Sequence, residues 1–351
     1  MQLAVGQDLA VIDTIEVQDL TPLWRRLAEG PCETIVHSGR EEILFCIHAV
    51  GKPPAKVFDT QIAAGLAGFE YPAGYGALVQ KLTGETPPKG ETRTDWRRRP
   101  LAQRQIEYAL IDVVHLQPMR DKLMARIKKL GRAEWLAIEH DRWIDELQQS
   151  LNRERWRRVS GLSGLGAKSM AVARELWRWR EEEAERRDMP PRRVLRDDLI
   201  VELAKRRSDD PKRIAAVRGM ERGDLKRAAP KLAQAIRKGL DTPDEELPRG
   251  RHRQQLPTHF NMLGQFLYSA VSSICRKMDL APSLVCNPND VRELVAYRLG
   301  YLSDGNEPPV LASGWRAEVV GKLIDDLLAG KLAMRITDPT SDEPLTLERL
   351  E

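Results

Sequence analysis

The residues with the clearest chemical potential lie in one stretch, Gln105-Ile106-Glu107-Tyr108-Ala109-Leu110-Ile111-Asp112. Tyr108 and Asp112 are four apart, so on a helix they project from the same face. A carboxylate there can ligate a hard divalent cation, and a phenol one turn back can orient a water for attack on a phosphate. A half-buried Tyr beside a surface Asp has the same spacing, so the meaning of the pair depends on its surroundings. Just upstream, Arg93, Arg97, Arg98 and Arg99 flank Trp96. Guanidinium groups suit phosphates, and the indole either joins the core or meets a base or ribose.

The elements that must hold this stretch read as strands alternating with helices. QLAVG, LAVIDTIEV, ETIVHS and VFDT are short runs rich in β-branched residues. Between them LTPLWRRLAEG, EEILFCIHAV and TQIAAGLAGF have helical spacing, which points to a sheet covered by helices. A shorter helix is expected in YPAGYGALVQKL. The region from Ala102 to Arg132 reads as a long amphipathic helix with a break or kink marked by Pro118. Another helix, WLAIEHDRWIDELQQSLN, leads out of the first domain. From about residue 153 strand signal is scarce, and helices run to a linker, DTPDEELPRGRHRQQLP. A second helical block follows, extending through WRAEVVGKLIDDLLAGKLAMRI. Both blocks show a long helix, a Pro turn, a short helix and a third helix, a weak internal repeat. The expected domains are therefore 1–150, 153–240 and 256–351, with a linker at 241–255.

Composition narrows the class. The 351 residues are 42% hydrophobic and 31% charged, with a mean hydropathy of −0.46. That suffices for packed cores, while no apolar run reaches the ~20 residues of a membrane span. The N-terminus has no basic segment ahead of an apolar one, so no secretory signal is expected. Cys32, Cys46, Cys275 and Cys286 form no CxxC pair, and His48, His115 and His140 lack zinc-ligand spacing. A cytoplasmic protein without a disulfide scaffold or zinc ribbon fits best. Charge is uneven: 19 basic and 21 acidic residues over 1–150 give −2, 25 and 14 over 151–240 give +11, and 12 and 17 over 241–351 give −5. A cationic middle third is a usual footprint of nucleic-acid binding. Within it Lys205, Arg206 and Arg207 end a helix, where they suit the dipole and are candidate RNA-backbone contacts. Trp177 and Trp179, two apart, cannot share one helix face, so at most one is core.

In order, FDTQIAA, GYGALVQKL, RTDWRRRPL and QIEYALIDVVHL resemble bacterial ribonuclease D, a DEDD-family 3′–5′ exonuclease. The resemblance continues into GLSGL, RELWRWREEEAERRDMPPRRVLRDD and LAKRR, which are similar to a first helicase-and-RNase-D C-terminal (HRDC) domain. The block at 256–305 is similar to a second. The resemblance implies a ribonuclease H-like mixed sheet with helices, followed by two all-α domains. It implies 3′–5′ removal of nucleotides from RNA, with tRNA precursors as typical substrates, by four carboxylates holding two divalent ions, Mg²⁺ or Mn²⁺. On it Asp112 would be a metal ligand, Tyr108 would position the water, and Gln105 would lie near the substrate end. The family's second motif has an Asp five residues after a His; here His37 leads to Glu42, a carboxylate one methylene longer. The first motif, Asp-x-Glu on a central strand, has no counterpart. Asp13 and Glu16 have the wrong spacing, and Asp244 and Glu246 lie in the linker. Two explanations stay open: a start internal to a longer protein, or a relative that binds nucleic acid without cleaving it.

Overall fold

A computed structural model describes all residues except 89, 91–93, 153–154, 249–255, 303–307, 342 and 351. It divides into two compact units, Met1–Gln148 with Leu256–Glu351, and Gln149–Gln255. Among the described residues no helix is long and apolar enough to cross a membrane.

The first unit begins with β1 (Gln2–Val5) and β2 (Asp8–Val11), an antiparallel hairpin with Leu3 opposite Ala10. The second strand is shorter than its apolar run, because Thr14–Glu16 turn away. Next come α1 (Thr21–Glu29), β3 (Thr34–Val36), α2 (Arg40–Val50), β4 (Val57–Asp59) and α3 (Thr60–Leu66). β3 and β4 pair in parallel, Ile35 opposite Phe58, as a strand–helix–strand unit requires. Antiparallel and parallel pairing are thus both present in this segment, but β1–β2 and β3–β4 are separate two-stranded pairs. α4 (Tyr75–Thr83), α5 (Gln103–Val114), α6 (Leu116–Lys129) and α7 (Ala133–Asn152) follow. The break expected near Pro118 falls at His115. Proline has no N–H to give the carbonyl four residues back, and it is tolerated in the first turn of a new helix.

The second unit holds α8 (Ala167–Arg186), α9 (Pro191–Val194), α10 (Asp197–Arg206), α11 (Pro211–Ala215) and α12 (Gly223–Leu240) around its own apolar cluster. α8 and α12 run antiparallel, and they approach so closely that a Cβ on Gly239 would lie 2.5 Å from the Val172 Cα.

The chain then returns to the first unit with α13 (His259–Lys277), α14 (Pro282–Val285) and α15 (Pro288–Arg298). The order long helix, Pro-initiated short helix, third helix does recur, in α8–α9–α10 and α13–α14–α15. After α16 (Gly314–Arg316), a π-helical turn (Ala317–Gly321) and α17 (Lys322–Leu328), the chain forms a hairpin of β5 (Leu332–Ile336) and β6 (Leu345–Arg349). The all-helical expectation for 256–351 is therefore corrected at its end. Gly330, in the left-handed region, stops α17, and Pro339 and Pro344 bracket a turn between two alternating runs.

Among the described residues, 256–351 also form no independent core. Phe260, Leu267, Val271, Leu294, Val295 and Ile324 share one cluster with Phe58, Ile62, Leu66, Leu78, Met119 and Leu123. The boundary drawn at residue 255 marks re-entry into the first unit, because the apolar faces of α13 and α15 are covered by the N-terminal helices. Polar ties fix the junction. Arg132 donates to the carbonyls of Leu66 and Asp279 at 2.7 Å and to that of Met278. The Ala281 N–H donates to the Gly65 carbonyl at 2.9 Å. At Gly68 (φ +84°) a side chain would meet Asp279 at 2.9 Å, so only glycine supplies both the conformation and the space.

Candidate active site

α5 packs against β1 and β2. It presents Gln105 in its first turn, Tyr108 in the middle and Asp112 near its end. Asp112 is half-buried, and burial pushes its carboxyl above the ordinary aspartate range. Tyr108 is also half-buried, its ring centroid 6.3 Å from that of Trp96 at a tilt of 47°. Trp96 therefore packs on the candidate helix itself. The loop that carries it is anchored by Arg99, whose Nε and Nη2 donate to Asp13 at 2.5 and 2.6 Å. That pairing holds the Asp13 carboxyl down at about 2. Arg97 and Arg98 extend into solvent from this loop, and Arg93 lies outside the described residues.

Gln105 is buried and does structural work. Its Oε1 accepts from the Ala102 N–H at 2.9 Å, and its Nε2 donates to Thr94 Oγ1 at 3.3 Å. Ala102 has no side-chain acceptor, so Gln105 supplies one half of a capping box and ties the Trp96 loop to the helix start.

Behind Asp112 stands Tyr75, whose hydroxyl donates to the Ile111 carbonyl at 2.8 Å. Burial first, and the nearby Asp112 charge second, raise the Tyr75 phenol well above its ordinary range, so it stays protonated. The ring of Tyr75 meets His37 edge-on at 5.6 Å. His37 Nε2 lies 3.1 Å from the Ala73 carbonyl, which can only accept, and Nδ1 lies 2.9 Å from Thr60 Oγ1. Burial lowers the His37 pKa. The Ala73 carbonyl calls for a proton on Nε2, and His37, held between Thr60, Ala73 and Tyr75, is a packing node.

Glu42 lies exposed in the first turn of α2, where its charge suits the helix dipole. The start of that helix is set by Asp59, a fully buried carboxylate. Its Oδ2 accepts from the Gly39 N–H at 2.9 Å, and its Oδ1 from the Gln61 and Ile62 N–H groups at 2.7 and 3.3 Å. One side chain thus caps α3 and pins α2. Neither Asp59 nor Tyr75 stands out in the sequence as a site residue. Asp59 carries a signal, an N-cap residue before an apolar helical run; Tyr75, after Gly74, carries none.

Among the described residues no three His, Cys, Asp or Glu side chains gather closely enough to hold a metal ion. Among the described residues neither Asp112 nor Glu42 belongs to such a group. Lys205 and Arg206 lie exposed in the last turn of α10, with Arg206 paired to Glu202 at 2.7 Å, and Arg207 follows at φ +49°. They belong to the second unit and not to the α5 face.

A 3′–5′ exonuclease domain signature matches residues 1–128 and an HRDC domain signature matches residues 169–236. These define the class: a hydrolytic nuclease joined to an HRDC domain. Ribonuclease D of Gluconacetobacter diazotrophicus is 31% identical over 94% of this chain and 82% of its own length. That of Acidiphilium cryptum is 32% identical over 95% and 84%. The crystal structure of Escherichia coli RNase D, described as an exoribonuclease involved in structured RNA processing, superposes with a TM-score of 0.78. It is 25% identical, covering 94% of this chain and 88% of that one. The chain belongs to the ribonuclease D family, and its class of activity is 3′–5′ exoribonuclease.

Proposed function

We propose that this protein trims the single-stranded 3′ ends of structured, tRNA-like RNAs in the cytoplasm, with divalent Mg²⁺ or Mn²⁺. The observation that carries this reading is the α5 face, where Tyr108 and Asp112 share one side of a helix in a chain that is ribonuclease D-like over nearly its whole length. Asp112 and Glu42 are the proposed carboxylates for the metal. Among the described residues they are not part of a group of three donors, and a bound divalent ion would supply the charge that stabilises the scissile phosphate. This chain's own contributions are separable. Tyr108 offers a phenol one turn from Asp112, Gln105 and Arg99 hold the loop beside it, and Arg97 and Arg98 offer exposed donors to phosphates. In the second unit Lys205, Arg206 and Arg207 are proposed as further backbone contacts.

A second reading, an RNA-binding protein without cleavage, is favoured by the short donor set. The test is 3′-end shortening of a labelled single-stranded RNA in Mg²⁺ or Mn²⁺. Stepwise shortening is expected, abolished by EDTA and reduced on the order of 10²-fold or more in Asp112→Asn. RNA that is bound in a gel shift and stays intact would establish the second reading.

A further inference from the structure

The second unit carries a groove that the exonuclease reading does not use. Along the antiparallel seam of α8 and α12 lie two contiguous hollows of about 520 and 410 Å³, which share Glu175, Arg178, Gln234 and Lys238. Six cations line them: Arg174, Arg178 and Arg186 from α8, and Lys231, Arg237 and Lys238 from α12. Five carboxylates line them as well, but the charges are not placed alike. Glu175 is 3% exposed and forms the floor, where it receives Arg174 at 3.2 Å, Arg178 at 2.7 Å and Lys238 at 3.1 Å. Glu183, 6% exposed, is met by Arg186 at 2.5 Å and by Arg187. The buried carboxylates organise the cations from below. The side chains of Lys238, Arg237 and Arg186 are 71%, 68% and 64% exposed, Arg237 with Asp209 beside it at 2.9 Å; the other three carboxylates, Glu182, Asp241 and Glu246, are exposed as well, so the six cations exceed the five carboxylates by one.

Trp179 lines the same groove. It is half-buried, packed by one side on the unit's core. Arg174, Arg178, Glu182 and Arg186 stand at i, i+4, i+8 and i+12, three helical turns or about 18 Å of α8. A cationic channel with an aromatic in its wall is the pattern by which single strands are held without sequence preference. The backbone tracks the charge, and a base stacks on the ring.

We infer that the α8–α12 groove is the single-stranded RNA track of the second unit, with Lys231, Lys238 and Arg186 on the phosphates and Trp179 under a base. This deepens the proposed function and rests on its RNA reading. It assigns the main backbone contact to the seam, ahead of the Lys205–Arg207 end of α10.

The test uses the full chain in EDTA, so that binding is read without cleavage. Anisotropy of a fluorescent single-stranded RNA of about 12 nucleotides is followed between 50 and 200 mM salt. Arg186→Gln/Lys231→Gln/Lys238→Gln is compared with Lys205→Gln/Arg206→Gln/Arg207→Gln, which removes the same charge elsewhere. The groove triple should weaken binding about tenfold or more and lower the salt slope by about 2, and the α10 triple should weaken it less than about threefold. Trp179→Leu should lose about fivefold or more, and Trp179→Phe should restore most of it. Cross-linking of 4-thiouridine RNA to the unsubstituted chain should label peptides of α8 or α12, a readout that does not depend on the variants folding. Equal loss in both triples, or labelling confined to other helices, overturns the groove. If the wild-type chain binds no RNA at all, the RNA reading itself falls, and the inference with it.

Discussion

The first unit buries carboxylates in two regions and treats them differently. Where α7 meets the C-terminal helices, Glu139 accepts from Trp315 Nε1 at 2.9 Å and from both terminal nitrogens of Arg316, one at 2.8 Å. The Arg316 guanidinium also donates to the carbonyls of Val285 and Leu284 at 2.8 and 2.9 Å. Trp135 stacks on Trp315 at 5.0 Å. On the α5 face, burial alone shifts Asp112, and it shifts it toward the protonated form. A buried charge surrounded by fixed donors is a fastener. A carboxylate held partly out of water against its own preference suits a site whose counter-charge arrives from outside. The contrast separates the carboxylates that hold the fold from the one proposed to do chemistry.

The contrast is tested most strongly at Arg316. Arg316→Met leaves Glu139 buried beside an apolar side chain and orphans two carbonyls. A loss of about 3–5 kcal/mol is expected in denaturant unfolding. Adding Glu139→Gln should recover part of it, because no uncompensated charge remains. A loss below about 1 kcal/mol would mean that this region does not fasten the two parts of the unit.

Asp59 is the intermediate case, since its partners are backbone N–H groups. Asp59→Ala removes the α3 cap and leaves the Gly39 N–H unpaired, which should cost about 1–3 kcal/mol. Asp59→Asn keeps an acceptor for α3 and should cost less. Hydrogen exchange at Gly39 and at the start of α2 should rise in both variants. Unchanged exchange there would show that α2 is positioned without Asp59.

The two regions also differ in how far the sequence reveals them. The α5 pair is local: helical periodicity and a spacing of four are enough to put Tyr108 and Asp112 on one face. Gln105 is local too, but its spacing to Ala102 marks a cap, and that role is hidden because Ala102 is not a capping residue. The Glu139–Arg316 tie joins residues far apart in the chain. A helix pattern shows which face is apolar and not which helix covers it, so residues 256–351 read as a domain of their own. The last hairpin escapes the sequence for a similar reason. LAMRI follows a helix closely after Gly330, and its strand character depends on pairing with LTLER beyond two prolines.

Asp112 itself gives the smallest effect and the sharpest contrast of sign. Its carboxyl is raised in the folded state relative to the unfolded chain, so the folded protein holds this proton more tightly. The stabilisation is fully present below the ordinary aspartate pKa of about 3.9 and is lost as pH rises through the raised value. At neutral pH the charged side chain is therefore a mild burden. Asp112→Asn, measured in EDTA, should unfold at the same temperature as wild type or slightly above it near pH 7, and the difference should shrink toward zero in acid. A substitution that sharply reduces cleavage and leaves stability equal or better marks a residue kept for chemistry. A marked loss of stability at neutral pH would place Asp112 with Glu139 and Asp59, among the carboxylates that hold the fold.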